Sequence, residues 1–230
     1  MKKIIFTLNV AFATLCCFAQ EINSIDATFD DYLSLFQKAG YNMYVYDISS
    51  LKDNTTYVEF CVKEYVNGNL VDDEDLHRYT VKLIRRVSEF SEDDQKEINA
   101  MGIADNVESD IFRLATHLKI GFTPIIRDSI QEVQFEVAGK KPMALTHKRL
   151  KLRDIRVDKS HRKLNYETRP FIIDDFKKGK FIPLVLYVAP WWDENSGIYR
   201  LCGETEMRAD MSSQVLKLSP HYFIIGVEFK

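Results

Sequence analysis

Glycine and proline are both scarce in this chain, at 9 and 6 of 230 residues. That excludes collagen-like and low-complexity chains, and no Gly/Ser- or Pro-rich stretch offers a linker between domains. An excess of one charge is also lacking, since 31 Lys and Arg face 34 Asp and Glu. The near balance argues against nucleic acid as a partner, because backbone binding needs a strong basic excess. One long apolar run exists, Ile4 to Phe18, and it is shorter than the roughly 20 residues of a spanning helix. Catalytic signatures are missing as well. There is no Gly-x-Ser-x-Gly, no phosphate-binding loop, no dinucleotide fingerprint and no His-Glu-x-x-His. The five histidines, His77, His117, His147, His161 and His221, have no zinc-ligand spacing. The expectation is therefore no cofactor and no metal, with enzymatic activity left undecided.

What is present begins at the N-terminus. Lys2 and Lys3 precede the apolar run, and Cys17 and Ala19 place small residues at −3 and −1 before the polar Gln20. This is the pattern of a signal peptide over residues 1–19, removed to leave one mature domain, 20–230, with two halves meeting near Gly121 as an option. An uncut anchor and a lipid on Cys16 or Cys17 are the alternatives. No second run approaches spanning length, so no transmembrane segment is expected in the mature chain. Export would leave Cys61 and Cys202 in an oxidising space. Both fall on polar strand faces and form a candidate disulfide, with free thiols as the alternative.

The mature sequence reads as short elements. Thr28 to Gly40 has a helical apolar face in Phe29, Leu33 and Phe36, and Gly40 suits its end. Tyr41–Ile48 alternates as a strand. Thr55–Val66 alternates with Val58, Phe60 and Val62 on one face, and Asn67-Gly68 supplies a tight hairpin turn. Tyr79–Val87 continues as a strand, and Ser91 with Glu92, Asp93 and Asp94 opens a second helix to about Met101. Val107, Ile111, Leu114 and Leu118 are spaced for a helix, with a strand from Ile111 as the alternative. Further strands are expected at 130–137, 149–157, 165–173, 181–189, 198–207 and 221–229, divided by turn residues such as Lys178-Gly179 and Asn195-Ser196-Gly197. The fold class is α+β, mainly β: an antiparallel sheet or sandwich with a few short helices.

Four constellations carry chemical interest. In a strand 198–207, alternation sets Arg200, Cys202, Glu204 and Glu206 on one face. Two carboxylates roughly 7 Å apart suit acid/base work on a glycosidic bond, or a solvated face paired with Arg200. Trp191, Trp192 and Asp193 follow an apolar strand, where indoles stack on sugars or plug the core. Lys148, Arg149, Lys151, Arg153, Arg156, Lys159, Arg162 and Lys163 are offset only by Asp154 and Asp158. That stretch reads as a charge-protected edge strand, with an anion or membrane surface as the alternative. The acidic run Asp72-Asp73-Glu74-Asp75 lacks the spacing of a calcium loop and reads as solvated.

The Lys-Lys start, the Ala19-Gln20 junction and the closing Tyr222-Phe-Ile-Ile-Gly-Val-Glu-Phe-Lys230 strand resemble small exported proteins of gut-type Gram-negative anaerobes, many of them in families of undefined function. The resemblance implies a periplasmic or cell-surface location. Three functional expectations follow. The first is a non-enzymatic binding or accessory module of the envelope, its partner a glycan or an envelope protein. The second is a hydrolase of a polysaccharide or envelope polymer using Glu204 and Glu206. The third is a structural envelope protein.

Overall fold

A computed structural model of the chain describes residues 28–51, 55–71, 79–100, 110–113, 115–126, 129–139, 142–153, 166–173, 177–201 and 204–230. Residues 1–27, which include the stretch expected to be a signal peptide, the acidic run 72–75, Cys202 and the basic residues beyond Arg153 lie outside the described residues. The chain divides into two compact units, Met1–Leu35 and Phe36–Lys230. The described part of the first is the opening of helix α1.

In chain order the elements are α1 (Phe29–Lys38), β1 (Asn42–Asp47), β2 (Tyr57–Val66), β3 (Asn69–Leu70), β4 (Tyr79–Lys82), β5 (Ile84–Arg86), α2 (Glu92–Ala100), β6 (Ile111–Arg113), β7 (His117–Phe122), β8 (Ile130–Ala138), β9 (Pro142–Lys151), β10 (Glu167–Ile172), β11 (Phe181–Val188), β12 (Trp191–Asp193), β13 (Ile198–Arg200), β14 (Met207–Arg208), α3 (Gln214–Leu218) and β15 (His221–Phe229). The fold is mainly β with antiparallel sheets and short helices, as the alternation predicts.

Several boundaries follow directly from local chemistry. Gly40 closes α1 at φ 95°, letting the Tyr41 N–H return to the Phe36 carbonyl at 2.9 Å. Asn67 and Gly68 both take positive φ and turn β2 into β3. The Ser91 Oγ accepts from the Asp94 N–H at 3.3 Å and caps α2.

Strands β1, β7, β8 and β9 form a four-stranded antiparallel sheet in that order. A second sheet runs β14-β10-β11-β15-β2, with β3 and β4 both pairing with β2. Leu118, Ile120, Phe122, Val133 and Phe135 of the first sheet pack on Val58, Phe60, Phe223, Ile225 and Val227 of the second. Phe60 meets Phe135 at 4.9 Å between ring centres, and Phe122 meets Tyr187 at 5.3 Å. The Tyr44 hydroxyl donates to Thr168 Oγ1 at 2.8 Å and that of Tyr46 to the Leu184 carbonyl at 2.9 Å. Those two bonds cross the sandwich and hold β1 to its partner sheet.

The opposite face of β11 and β15 has its own core, where Leu186, Val188, Tyr222 and Ile224 meet Trp191, Met207, Val215 and Leu216. Both strands are thus covered on both sides, which is why they read as nearly unbroken apolar runs.

Four expected elements differ. The helix through Val107–Leu118 is absent from the described part of that segment. Ile111–Arg113 instead pairs with β5, and β7 begins at His117. Short apolar runs fit both periods, and the cross-strand partner decides. The basic strand starts at Pro142 rather than Arg149, because it pairs with the whole of β8, from Ala138↔Pro142 to Ile130↔Lys151. Tyr79–Val87 breaks into β4, β5 and a 3-10 turn at Val87–Glu89. The strand 198–207 also breaks, for a reason given below. Helix α3 was not foreseen: five residues are too few for an apolar period to show.

Gly226 is the tightest point of the central strands. A Cβ built there would lie 2.2 Å from the Ile182 carbonyl oxygen and 2.7 Å from the Phe181 ring. The ring covers the glycine and carries the Lys63 ammonium 3.8 Å from its centre. The pairing of β11 with β15 slips here, between Pro183 and Val185. Gly226→Ala is expected to cost about 3 kcal/mol, the upper range for forcing a methyl into packed structure. Urea unfolding at neutral pH checks this, and Gly68→Ala, with open space around it, serves to separate overpacking from backbone strain.

Candidate functional site

The β12–β13 hairpin places the two tryptophans on opposite faces, as alternation requires. Trp191 is buried in the second core beside Leu186, Val188 and Met207. Trp192 is half-buried on the other face, where its ring meets Tyr199 edge-on, with centres 4.9 Å apart. Trp192 and Tyr199 are direct cross-strand partners. Asp193 holds the hairpin together. Its Oδ1 accepts from the Asn195 N–H at 3.0 Å, its Oδ2 from the Ser196 hydroxyl at 2.8 Å, and Oδ2 lies 2.6 Å from Arg200 Nε. The Ser196 hydrogen bond, with smaller help from Asn195 and Arg200, holds its carboxyl below the usual range. Gly197 completes the turn at φ 62°. The hairpin is therefore anchored by one indole and presents the other.

Glu204 and Glu206 are both exposed but share no strand face, because β13 ends at Arg200 and β14 begins only at Met207. The cause is Arg169 of β10, which is buried. Its Nη1 donates to the Glu204 carbonyl at 2.5 Å and its Nη2 to the Leu201 carbonyl. The guanidinium takes main-chain acceptors that a strand partner would otherwise use, and β14 joins β10 in parallel.

The most connected polar group was not foreseen. Glu64 follows Val58, Phe60 and Val62 on the inner face of β2, and His221 opens the inner face of β15. His221 is 1% exposed. Its Nε2 lies 3.0 Å from Glu64 Oε1, and its Nδ1 lies 2.5 Å from the Tyr166 hydroxyl. Arg153 binds the same Glu64 oxygen through Nη2 at 2.8 Å and Nε at 2.9 Å. The Arg153 N–H donates to the Tyr166 oxygen at 3.3 Å. With Glu64 an acceptor only, His221 carries its proton on Nε2 and accepts the Tyr166 proton on Nδ1. Burial pushes the Tyr166 phenol well above its ordinary range, so it keeps that proton. Tyr166 stacks on Tyr187, whose hydroxyl donates to Gln131 Oε1 at 2.9 Å. Among the described residues every buried side-chain N or O atom has a partner. The network is thus a closed clamp joining β2, β15 and the ends of β9 and β10. A lone acid and a lone histidine on otherwise apolar strand faces were the available signal for it.

The basic stretch begins on β9, an edge strand of the four-stranded sheet. Here Glu132, His147, Lys148 and Arg149 line an open depression of about 540 Å³. His147 Nδ1 lies 3.2 Å and Arg149 Nε 3.7 Å from Glu132. Cys61 is buried, its thiol 3.7 Å from the Glu59 carbonyl. Among the described residues no group of three or more His, Cys, Asp or Glu is placed to hold a metal ion, and no helix is long and apolar enough to cross a membrane.

A family model described as a domain of unknown function (DUF5041) matches residues 13–230, and the chain belongs to that family. No curated protein and no solved structure matches it.

The clamp has a pH signature. Burial outweighs the pull of Glu64 and lowers the His221 pKa from its ordinary 6.5. The folded protein therefore holds the neutral ring, and the unfolded chain takes up the proton first as pH falls. Stability from this group is complete above about pH 6.5 and is lost progressively below it. Urea unfolding at pH 7.5 and 5.5 should show the loss. His221→Gln should be less stable at pH 7.5, by about 1–3 kcal/mol for the disturbed buried bonds, and should lose less between the two pH values.

Proposed function

We propose that this member of the family is an exported, non-enzymatic binding module of the cell envelope that takes a glycan on the outward face of the β12–β13 hairpin. The observation that carries the reading is the Trp192–Tyr199 pair, two aromatic rings meeting edge-on across a hairpin whose opposite face packs into the core. An amphipathic ring on a pre-ordered element offers contact area to a sugar without first having to be ordered. Export is supported by Lys2, Lys3 and the apolar run ending before Ala19.

The test is calorimetric titration of the purified protein with a panel of neutral glucans, xylan and peptidoglycan fragments. The expected outcome is saturable binding to one class. Trp192→Ala should weaken it at least tenfold with an unchanged melting midpoint. Trp191→Ala should lower stability by about 3–5 kcal/mol, the usual cost of emptying a buried aromatic site. Binding that survives Trp192→Ala and Tyr199→Ala would remove this face as the site.

A further inference from the structure

The sheet edges of this protein are not alike. At one end of the second sheet lies β14, with two residues. At the other, β3 and β4 supply two and four. Strand β9 is long, but Lys148, Arg149 and Lys151 protect it. Short strands and cations are the ordinary means of stopping edges from pairing with other chains.

Strand β1 has neither protection. It runs six residues in unbroken register with β7, and its one charged residue is Asp47 at the end. Met43 and Val45 project from the outer face, 56% and 55% exposed. Among the described residues, the backbone of β1 hydrogen-bonds to β7 and to nothing else. The strand is also rigid, because the Tyr44 and Tyr46 hydroxyls tie it across the sandwich.

We propose that β1 is a homodimer interface, in which two copies of this chain pair their β1 strands antiparallel about a two-fold axis at Tyr44. The pairing is self-complementary in this register. Met43 faces Val45 of the second copy on the outer side, and Val45 faces Met43. Tyr44 meets Tyr44 over the core, and Asn42 meets Tyr46. Each Asp47 lies opposite a Tyr41, which keeps the two carboxylates at opposite ends. The alternative of β1 against β9 would set Met43 and Val45 beside Arg149 and Lys151, and it would be heterologous, with no two-fold pair formed. Apolar complementarity and charge separation therefore both select the two-fold arrangement, which merges two four-stranded sheets into one of eight. A six-residue strand pair buries little area, so association is weak and concentration-dependent.

Sedimentation velocity of the purified full chain over a wide concentration range tests this. The expected result is a reversible monomer–dimer equilibrium. Val45→Lys sets a cation against an apolar partner and should raise the dissociation constant at least tenfold, with an unchanged melting midpoint. Leu145→Lys, on the same outer face but on β9, should leave it unaltered. Should Val45→Lys fail to fold, Met43→Lys and the concentration dependence of β1 amide exchange in the unmodified protein give the same readout. A chain that stays monomeric throughout overturns the proposal and leaves the edge to an extended segment of another protein. A dimer indifferent to both Met43→Lys and Val45→Lys overturns it as well.

Discussion

Strands β11 and β15 are buried on both faces, and this shared wall is the constraint on which the rest of the protein depends. Successive side chains along a strand point to opposite faces. Phe223, Ile225 and Val227 therefore enter the sandwich core, while Tyr222 and Ile224 enter the second core behind it. A substitution at any of these residues is felt in one core or the other, and a displacement of the strand is felt in both. Gly226 shows how little slack remains. The β11–β15 register slips at its partner, and the Phe181 ring closes over the space a side chain would need.

Polar groups are fitted to this wall at its margins. The Glu64, His221 and Tyr166 clamp lies at the end where β2 and β15 meet the ends of β9 and β10, and Arg153 neutralises its one carboxylate. Arg169 does similar work at another margin, pulling the chain beyond β13 onto β10 through two carbonyls. In both places a buried charge or ring is fully engaged with protein groups, as burial demands. The proposed contacts with partners rest instead on the aromatic side of the β12–β13 hairpin and on the edge strand β1.

The sequence made local features plain. The Asn67-Gly68 hairpin, the end of α1 at Gly40 and the bounds of β15 follow from turn residues and alternation within a few positions. What depends on distant partners was not legible. Nothing near Glu204 reveals that Arg169 will take its carbonyl, and the lone acid at Glu64 signals a buried partner without showing that it is His221. The strand through Arg149 was foreseen, but its start at Pro142 is set by the length of β8. The tryptophans teach a narrower lesson. Alternation already separates Trp191, which plugs the core, from Trp192, but it does not reveal Tyr199, which supplies the second ring from across the hairpin.

The position of β15 also bears on how the chain reaches this structure. Glu64 and His221 touch across 157 residues of sequence, and the whole of β2 pairs with β15 over comparable separations. Loops that long must close before their contacts contribute anything, which slows folding. Until β15 arrives between β2 and β11, neither apolar face of that wall is complete. The hairpins β2–β3 and β8–β9 can form early from local contacts, but the two cores have to be finished by the same event. Unfolding should run the same way in reverse, with both cores lost in one cooperative step rather than in sequence.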